Sequence, residues 1–419
     1  MARRRAIRVL IVSFYFPPAG GGGVQRPLKF ATNLAELGIE SHVLAPYDPR
    51  WIHSDPGLDV PPDVRVHRAP YVGPRGRLPA EELYGLTGTD RLLRRLALTP
   101  RRLLVPDENV TWALTAARRG FDVIRRERID AVLTTSPPSS IHLLGLLLKR
   151  RTGIPWVADL RDSLAAKNDR RFDSRLVRLK ERSDAYVASL VARHADAVVG
   201  VTPTISAEIE ALGALRVVTI PNGCDFEDFD GLRYERGDRF RITHTGSFFG
   251  ARSPRPFLTA LAQSGLDVVA RFVGDFRAAD RDWADALGLG DRLELYRFVS
   301  HRKALELQRD SDALLLLLPD VGARGKDVPS GKLYEYLAAG SPILAAVPRD
   351  GAAAALVESA GAGLVVPPTD VGAIADALGQ LHERWSADTL ERGNLSPEWR
   401  ERLSRKARTR ELAALLTSL

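Results

Sequence analysis

Short apolar runs rich in β-branched residues recur along the chain and alternate with stretches of helical periodicity. Runs such as ALLLLL, which begins at Ala313, show no polar alternation, and this is typical of parallel strands buried on both faces. Strands that alternate with helices indicate βαβ units. The predicted strands are Arg8–Phe16, Ser41–Pro46, Val64–Pro70, Ala131–Ser136, Trp156–Asp159, Ala197–Thr202, Val217–Pro221, Arg241–Gly246, Val268–Gly274, Leu293–Val299, Ala313–Pro319, Pro342–Val347 and Gly363–Pro367.

This alternation occurs twice, on either side of an acidic, glycine-bearing and aperiodic segment at residues 223–238. Single cores stop growing at roughly 250–300 residues, so a chain of 419 residues predicts two domains. We expect α/β domains at residues 1–222 and 239–390, a linker at 223–238, and a charged helical tail at 391–419 that packs on either domain. Two doubly wound domains that face each other would leave a cleft lined by the carboxyl ends of both sheets, where such folds bind ligands.

The composition narrows the class of protein. The sequence contains neither an apolar run long enough to cross a bilayer nor a start that resembles a signal peptide. Its single cysteine, Cys224, excludes an intrachain disulfide, and no Cys/His spacing suggests a metal site. We therefore expect a cytoplasmic protein. The formal net charge of +8 favours anionic partners such as nucleotide phosphates, a membrane face or nucleic acid; the alternative is a solvated basic surface.

A run of four glycines, residues 20–23, separates the first strand from a helical pattern. Glycines there allow close backbone approach to a ligand, and the helix start presents free amides to anionic or hydroxyl-rich groups. Gly22, Gly23 and Arg26 are the candidate contacts. The run is not G-x-G-x-x-G, and no acidic residue ends the second strand, so dinucleotide binding is disfavoured. The alternative interpretation is a flexible loop.

The second domain contains the segment richest in candidate chemistry, K-D-V-P-S-G-K-L-Y-E-Y-L-A-A-G-S-P, which begins at Lys326. Ser330 is a candidate N-cap, and Gly340 ends the predicted helix. The first amides, from Ser330 through Gly331 to Lys332, would hold a diphosphate, to which the Lys332 side chain adds positive charge.

Two acidic residues, Asp327 and Glu335, flank this helix start. Carboxylates close to a phosphate site are electrostatically unexpected unless they bind sugar hydroxyls, which a carboxylate can accept in pairs. The alternative is a solvated helix end with a capping acid.

The segment from Asp327 to Glu335 resembles the acid-x7-acid motif of the retaining glycosyltransferases of family 4, the group 1 transferases of GT-B fold. Further features agree in order along nearly the whole chain: FYFPPAGGGGVQR, TTSPPSS, WVADLRD, VTPTISAEI, IPNGCD, HTGSFFGARSP and GAGLVVPP. The resemblance implies two Rossmann-like domains that face each other across a cleft. It also implies transfer of a sugar from a nucleotide-diphosphate donor to a hydroxyl acceptor.

The resemblance also assigns roles to residues of the donor site. Glu335 should bind the donor ribose, and Asp327, where the family usually has glutamate, should contact hydroxyls of the transferred sugar. Phe298 and His301 follow the third strand of the second domain and resemble the segment that contacts the base.

In this family, a G-R-L-x-x-x-K-G loop holds the diphosphate after the first strand of the second domain. Here the loop begins at Gly246, and Arg252 stands where the lysine belongs. Ser247 replaces the arginine, so one positive charge is missing, and Lys332 or Arg26 would supply it.

The first domain is expected to bind the acceptor. Ser136 stands where many family members have a histidine. Asp159 and Arg161, at the end of the next strand, are candidate acceptor contacts, with a structural ion-pair cluster as the alternative. His142, inside a helical pattern, is either packed or site-lining. A basic amphipathic stretch at residues 91–104 would contact an anionic membrane surface or lie on the first domain as a surface helix.

The resemblance implies that the enzyme retains the anomeric configuration, needs no metal ion and has no cofactor beyond the donor, a UDP- or GDP-sugar. Its pathway would be polysaccharide, glycolipid or natural-product biosynthesis. A sugar-nucleotide epimerase on the same fold and a non-catalytic nucleotide-sugar-binding protein are the alternatives. Nucleic acid is not an expected partner, because no basic groove with interleaved aromatic residues is visible.

Overall fold

A computed structural model describes residues 5–47, 54–71, 88–89, 103–165, 175–248, 251–320, 326–327, 329–393 and 395–419. The chain divides into two compact units. The first unit comprises Met1–Asn222 and Arg405–Leu419, and the second unit comprises Gly223–Ser404.

The first unit is built on a seven-stranded parallel sheet in the order β3-β2-β1-β4-β5-β6-β7. Its strands are β1 (Arg8–Ser13), β2 (Glu40–Tyr47), β3 (Arg65–Pro70), β4 (Ala131–Thr135), β5 (Trp156–Leu160), β6 (Ala197–Gly200) and β7 (Val217–Thr219). Its described helices are α1 (Gly22–Glu36), α2 (Val110–Glu127), α3 (Ile141–Thr152), α4 (Arg175–His194), α5 (Pro203–Ala211) and, from the end of the chain, α13 (Arg405–Thr417).

The core of the first unit explains why the last helix belongs to it. The central strands are buried on both faces, as their uninterrupted apolar runs predict. Leu412, Leu415 and Leu416 of α13 lie in the same apolar cluster as Leu28 and Leu34 of α1. Helix α13 therefore buries its apolar side against the first unit.

The second unit is built on a six-stranded parallel sheet in the order β10-β9-β8-β11-β12-β13. Its strands are β8 (Phe240–Thr245), β9 (Val268–Val273), β10 (Leu293–Tyr296), β11 (Ala313–Leu317), β12 (Ile343–Ala346) and β13 (Gly363–Val366). Its described helices are α6 (Arg255–Ser264), α7 (Ala278–Ala286), α8 (His301–Arg309), α9 (Gly331–Ala339), α10 (Ala352–Ser359), α11 (Val371–Ser386) and α12 (Pro397–Leu403), with single 3₁₀ turns at Phe226–Phe229 and Gly290–Arg292. Both sheets have the doubly wound Rossmann order.

The predicted α/β class with two Rossmann-like domains is confirmed, and every predicted strand is present. Most observed strands end one to three residues before the predicted end. At two of these ends the chain leaves the sheet at a glycine with positive φ, Gly246 (φ 117°) and Gly274 (φ 128°).

The division into units differs from the predicted one at two segments. Residues 223–238, predicted as a linker, belong to the second unit, where Cys224 and Phe229 are buried in its core. The predicted tail, residues 391–419, is divided between the two units. Its first part belongs to the second unit, where Leu403 of α12 packs with Cys224 and the Cys224 amide donates to the Leu403 carbonyl at 2.9 Å. Only the residues from Arg405 onward belong to the first unit.

No helix in the described part of the chain is long and apolar enough to cross a bilayer. The predicted basic stretch at residues 91–104 lies almost entirely outside the described residues.

Candidate functional site

In the second sheet β8 and β11 are neighbours. The strand that follows β8 in sequence, β9, lies on one side of this pair, and the strand that follows β11, β12, lies on the other side, so the strand order reverses between β8 and β11. In open parallel sheets, ligands bind at the carboxyl ends of the strands at such a reversal. The loop that begins at Gly246 follows β8, and the segment that leads into α9 follows β11. The sheet therefore brings the two predicted donor-binding segments to one place.

Glycine suits position 246, at the end of β8, because a side chain there would collide with Lys332. A Cβ built on Gly246 would lie 2.6 Å from Lys332 Nζ, and the φ of 117° is one that other residues rarely adopt. Gly274, after the adjacent β9, is packed as closely: its Cβ would lie 2.8 Å from the Gly246 carbonyl carbon. The two glycines thus let the turns and the Lys332 amine approach each other.

The Lys332 amine contacts a buried histidine. Lys332 Nζ lies 3.2 Å from Nε2 of His244, a residue of β8 with no exposed surface. The other ring nitrogen, Nδ1, lies 2.9 Å from the carbonyl oxygen of Leu315 in β11. Burial, with the positive charge of Lys332, holds the pKa of His244 well below its ordinary value. The imidazole is therefore neutral at physiological pH.

Arg252 adds a second basic side chain beside this pair. Burial, followed by the positive charge of Arg252, holds the pKa of the Lys332 amine well below its ordinary value, although Glu335 acts in the opposite direction. Phe248, from the same loop, stacks on the His244 ring with centroids 4.8 Å apart. The structure thus brings Arg252 and Lys332 within electrostatic reach of each other, next to the start of α9.

The carboxylate of Glu335 is held from two points of α8. His301 Nε2 lies 3.1 Å from Glu335 Oε1, and Gln308 Nε2 donates to Glu335 Oε2 at 3.3 Å. The Glu335 side chain is only 16% exposed. Both oxygens of this carboxylate are thus oriented by side chains of α8.

A chain of hydrogen bonds orients Gln308 itself. Its Nε2 donates to Thr245 Oγ1 at 3.1 Å, and the Thr245 hydroxyl donates to Tyr336 OH at 3.3 Å. The Tyr336 hydroxyl donates to the Leu315 carbonyl at 3.4 Å and accepts from the Thr245 amide at 2.8 Å. Burial raises the pKa of Tyr336, so its proton stays in place. Strands β8 and β11 thereby fix the orientation of the Glu335 carboxylate.

The remaining predicted residues of the second unit include Ser247, Phe298 and Asp327. The Ser247 hydroxyl donates to Asp275 Oδ2 and accepts from the Asp275 amide, both at 3.0 Å, so it braces the turn after β8. Phe298 lies half-buried in the turn before α8, and Asp327 lies half-buried four residues before α9.

Ser330 occupies the N-cap position of α9, which begins at Gly331. The residue is thus at its predicted position, and within the residues that the structure describes its hydroxyl makes no capping hydrogen bond. The first amides of a helix have no partner within the helix, and here they are those of Gly331 and Lys332.

In the first unit, Arg26 and Asp159 form a buried ion pair. Arg26 Nη2 lies 2.7 Å from Asp159 Oδ1 and Arg26 Nε lies 3.0 Å from Oδ2, while the guanidinium also donates to the carbonyls of Ile220 and Pro221. Burial alone would raise the pKa of the Asp159 carboxyl, but Arg26 and a hydrogen bond from Thr135 hold it below its ordinary value. This pair fits the structural alternative, and the Arg26 guanidinium is occupied within its own unit.

Arg161 is also directed inward. Its Nη1 donates to the Gly23 carbonyl at 2.7 Å, and its Nε donates to the Ser136 carbonyl. Ser136 is buried, and Gly22 and Gly23 form the first turn of α1. Arg161 therefore ties the glycine-rich start of α1 to the end of β4.

His142 is a packed residue. Its Nδ1 lies 2.9 Å from Thr134 Oγ1, which also accepts from the Trp156 indole at 2.8 Å. Burial lowers the pKa of His142 to about 3.

Sequence reasoning missed His244 and Gln308. A histidine within the otherwise strand-like run of β8 was an available signal for the first. For the second, the signal was the spacing of seven residues from His301, because residues two helical turns apart share a face.

This arrangement is suited to an anionic ligand that carries a diol. Two basic side chains and the amides of a helix start favour a diphosphate. A carboxylate that lies one helical turn away favours adjacent hydroxyls.

Comparison with known proteins agrees with this chemistry. A family model described as "Glycosyl transferase 4-like domain" matches residues 21–223, and one described as "Glycosyl transferases group 1" matches residues 235–410. The 2-deoxystreptamine N-acetyl-D-glucosaminyltransferase of Streptomyces fradiae is 27% identical over 427 aligned residues, which cover 90% of each chain.

Solved structures share the fold. Sucrose-phosphate synthase from Thermosynechococcus elongatus superposes with a TM-score of 0.67 at 17% identity over 98% of each chain. Anabaena HepE, solved in complex with UDP-glucose, superposes with a TM-score of 0.65 at 16% identity over 99% of this chain and 100% of HepE.

Two Rossmann-like units with these structural neighbours define the GT-B fold. The chain belongs to the group 1 glycosyltransferases, the family that its motifs resemble.

Proposed function

We propose that this chain transfers a sugar from a nucleotide-diphosphate donor to a hydroxyl acceptor with retention of the anomeric configuration. The observation that carries the proposal is the Glu335 carboxylate, held by His301 and Gln308 one turn along the helix from Lys332. A structural ion pair alone would not need a carboxylate oriented by two strands and a second helix.

In this proposal, Glu335 accepts hydrogen bonds from the two ribose hydroxyls of the donor, and Asp327 accepts from hydroxyls of the transferred sugar. Lys332, Arg252 and the amides of Gly331 and Lys332 bind the diphosphate. Ser330, Gly246 and Ser247 shape the turns around it, and Phe298 lies toward the base. His301 holds Glu335 and borders the nucleoside.

The reaction breaks the bond between the anomeric carbon and the donor phosphate oxygen, and it forms a bond from that carbon to the acceptor oxygen. The acceptor proton passes to the departing phosphate oxygen on the same face, which gives retention. Negative charge develops on the diphosphate as it leaves, and positive charge already in position is commonly the largest catalytic contribution. We propose that Lys332 and Arg252 supply this charge, so that no metal ion is required.

The comparisons suggest where to begin with substrates. HepE was solved with UDP-glucose, and the Streptomyces relative is named for N-acetylglucosaminyl transfer to 2-deoxystreptamine. We propose a UDP-sugar as donor and a polyhydroxylated acceptor such as an aminocyclitol. Gly22, Gly23 and Ser136 would border the acceptor, while Arg26, Asp159 and Arg161 hold the elements that carry them.

The test is a matrix of UDP-, GDP-, ADP- and dTDP-sugars against 2-deoxystreptamine and lipid-linked acceptors, with release of the nucleoside diphosphate as the readout. Acceptor-dependent release, unchanged by EDTA, is expected, and NMR of the product should show the donor's anomeric configuration. Donor epimerisation without acceptor would indicate the epimerase alternative, and binding without turnover would indicate a non-catalytic binder. An inverted product would overturn the retaining assignment.

We also propose peripheral contact with the cytoplasmic membrane face, through a surface formed by α2, α3 and α4. All residues of these three helices are described, and every charged residue whose side chain is exposed is an arginine: Arg118, Arg125, Arg126, Arg150, Arg151, Arg175, Arg178, Arg182 and Arg193. The three helices carry 12 Lys and Arg against four Asp and Glu, and this excess of +8 equals the formal net charge of the whole chain.

Apolar side chains are exposed among these arginines. Leu114 is 70% exposed, Leu179 49% and Tyr186 61%. Arginines interspersed with leucine and tyrosine suit an anionic lipid surface, which attracts the charges and accepts the apolar groups.

A further inference from the structure

The tautomer of His244 follows from its two contacts. A carbonyl oxygen can only accept, so the nitrogen 2.9 Å from the Leu315 carbonyl, Nδ1, carries the ring proton. In a neutral ring, the other nitrogen, Nε2, then offers a lone pair. Lys332 Nζ, at 3.2 Å, is therefore the donor of this hydrogen bond.

The groups that face the Lys332 amine are mainly neutral or positive. His244 faces it from β8 at 3.2 Å, and Arg252 from the loop after β8 and Glu335 from its own helix, α9, act on it electrostatically. The Glu335 carboxylate is engaged by His301 and Gln308. The backbone of Gly246 is also close to the amine, since a Cβ there would lie 2.6 Å from Nζ. In these surroundings a second positive charge beside Arg252 is unfavourable while the anion site is empty.

We propose that His244 is a positioning residue that holds the Lys332 amine uncharged in the free enzyme, and that binding of the donor diphosphate charges this amine by uptake of one proton from solvent. The inference rests on the proposed donor site. The incoming proton occupies the lone pair of Nζ, so the ammonium keeps its hydrogen bond to His244 Nε2 and gains phosphate oxygens as acceptors. The diphosphate supplies the negative charge that the empty site lacks.

Ser247 stands where the family loop has an arginine, and this replacement fits the proposed arrangement. Two permanently charged groups would repel each other in the free enzyme, whereas Arg252 and a lysine that becomes charged on binding do not. Donor affinity should then depend on pH in a defined direction. Because the bound state holds one more proton, affinity falls as pH rises from the pKa of the free Lys332 amine to the higher pKa of the bound ammonium.

Calorimetric titration of the full chain with UDP-glucose near neutral pH, in buffers of different ionisation enthalpy, tests the proton uptake. UDP-glucose is the suitable probe because its diphosphate diester does not titrate near neutral pH. We expect uptake approaching one proton per site.

Lys332→Arg keeps a cation that cannot lose its proton, so it should bind UDP-glucose with no uptake. Tight wild-type binding without proton exchange, or the same uptake in Lys332→Arg, would overturn the inference while leaving the donor site intact. Absence of binding by UDP-glucose, GDP-mannose and ADP-glucose would overturn the proposed function and this inference together.

The positioning role of His244 needs its own variant. His244→Phe keeps a buried ring against Phe248 but removes the acceptor for Lys332, so kcat/KM for the donor should fall about tenfold, the effect of one lost hydrogen bond. A merely structural role would lower the melting temperature without lowering kcat/KM of the folded protein. An unchanged kcat/KM in a folded His244→Phe protein would refute the positioning role, and should this variant fail to fold, the Lys332→Arg titration still decides the proposal.

Discussion

Gln308 Nε2 donates to both Thr245 Oγ1, at 3.1 Å, and Glu335 Oε2, at 3.3 Å. The amide thus links the end of β8 to the carboxylate on α9. Because Thr245 is held in turn through Tyr336, the position of the carboxylate is determined by the sheet rather than by the Glu335 rotamer alone. Such support is what a carboxylate needs to bind a diol in one geometry.

Removal of this carboxylate should affect transfer far more than folding. Glu335→Ala deletes two hydrogen bonds from the donor to a charged acceptor, each contributing about 1.5–3 kcal/mol, so kcat/KM should fall on the order of 10²–10⁴-fold. Steady-state kinetics against donor concentration checks this, with melting temperature as the measure of folding.

Glu306→Ala is the matched control, because Glu306 lies on α8 and forms a surface pair with Lys303 at 3.0 Å. Its kinetics should equal those of the wild type. If Glu335→Ala kept most of the activity, the donor assignment would be wrong.

A substitution at Gly246 should separate backbone strain from the collision with Lys332. Gly246→Ala combines an unfavourable φ of 117° with a Cβ 2.6 Å from Lys332 Nζ. Gly213→Ala provides the comparison: its φ is 98° and its Cβ would meet nothing within 4 Å. Both should lose about 1–2 kcal/mol of stability from the positive φ. Only Gly246→Ala should weaken nucleotide-sugar binding, by about tenfold or more, in a calorimetric titration. Equal affinities in the two variants would contradict the contact.

The fold could be predicted closely because its signals are local. Buried parallel strands such as β11 appear as unbroken apolar runs, and α9 was predicted at its observed bounds from the serine before it and the glycine after it. These patterns depend on residues adjacent in sequence.

The contacts within the site depend on residues far apart in sequence, and these could be predicted only in part. The helix start predicted Lys332 and the family resemblance predicted Glu335, but the links from His244 to Lys332 and from Gln308 to Glu335 span 88 and 27 positions. Arg26 looked like a ligand contact for the same reason: its partner Asp159 lies 133 residues away. Nothing local indicates that a basic side chain after a glycine-rich loop will turn inward.

The Arg26–Asp159 pair should show the behaviour of a buried ion pair. Asp159→Leu or Arg26→Met alone leaves an uncompensated buried charge and should cost about 3–5 kcal/mol. The double variant removes both charges and should be more stable than either single variant. Calorimetric unfolding of the four proteins checks this. A double variant that loses the sum of both single effects would show that the residues act independently.

The paired histidines His42 and His67 should make stability depend on pH. Their rings stack 5.3 Å apart, with His42 Nδ1 and His67 Nε2 separated by 3.0 Å. Burial, together with the adjacent His42, lowers the pKa of His67 to about 4. An unfolded histidine has a pKa of about 6.5, so below that pH the unfolded chain binds more protons.

The stabilisation is therefore complete above pH of about 6.5 and is lost as pH falls toward 4, by at most about 3 kcal/mol. His67→Gln removes the titrating ring, so the stability of wild type relative to this variant should decline over that range. Denaturant unfolding at several pH values measures the difference. Curves that stay parallel would contradict a coupling between His67 and stability.

The arginine-rich surface of α2, α3 and α4 should bind anionic vesicles. Arg175 and Arg182 are exposed on α4 near Leu179 and Tyr186, so Arg175→Glu with Arg182→Glu should weaken vesicle binding. Each arginine near such a surface contributes about 1 kcal/mol, so the expected loss is tenfold or more. Co-sedimentation with vesicles of phosphatidylcholine and phosphatidylglycerol measures it, with phosphatidylcholine alone as the uncharged comparison.

Arg233→Glu with Arg281→Glu makes the same change of charge on exposed arginines of the second unit and should leave vesicle binding nearly intact. An equal loss in both double variants would mean that the net charge of the chain, rather than this surface, attracts the membrane. Binding to duplex DNA that exceeds binding to anionic vesicles, and that disappears with Arg175→Glu and Arg182→Glu, would instead assign the surface to nucleic acid. Lipid is favoured because Leu114, Leu179 and Tyr186 are exposed among the arginines and would have no apolar phase to enter on a phosphate backbone.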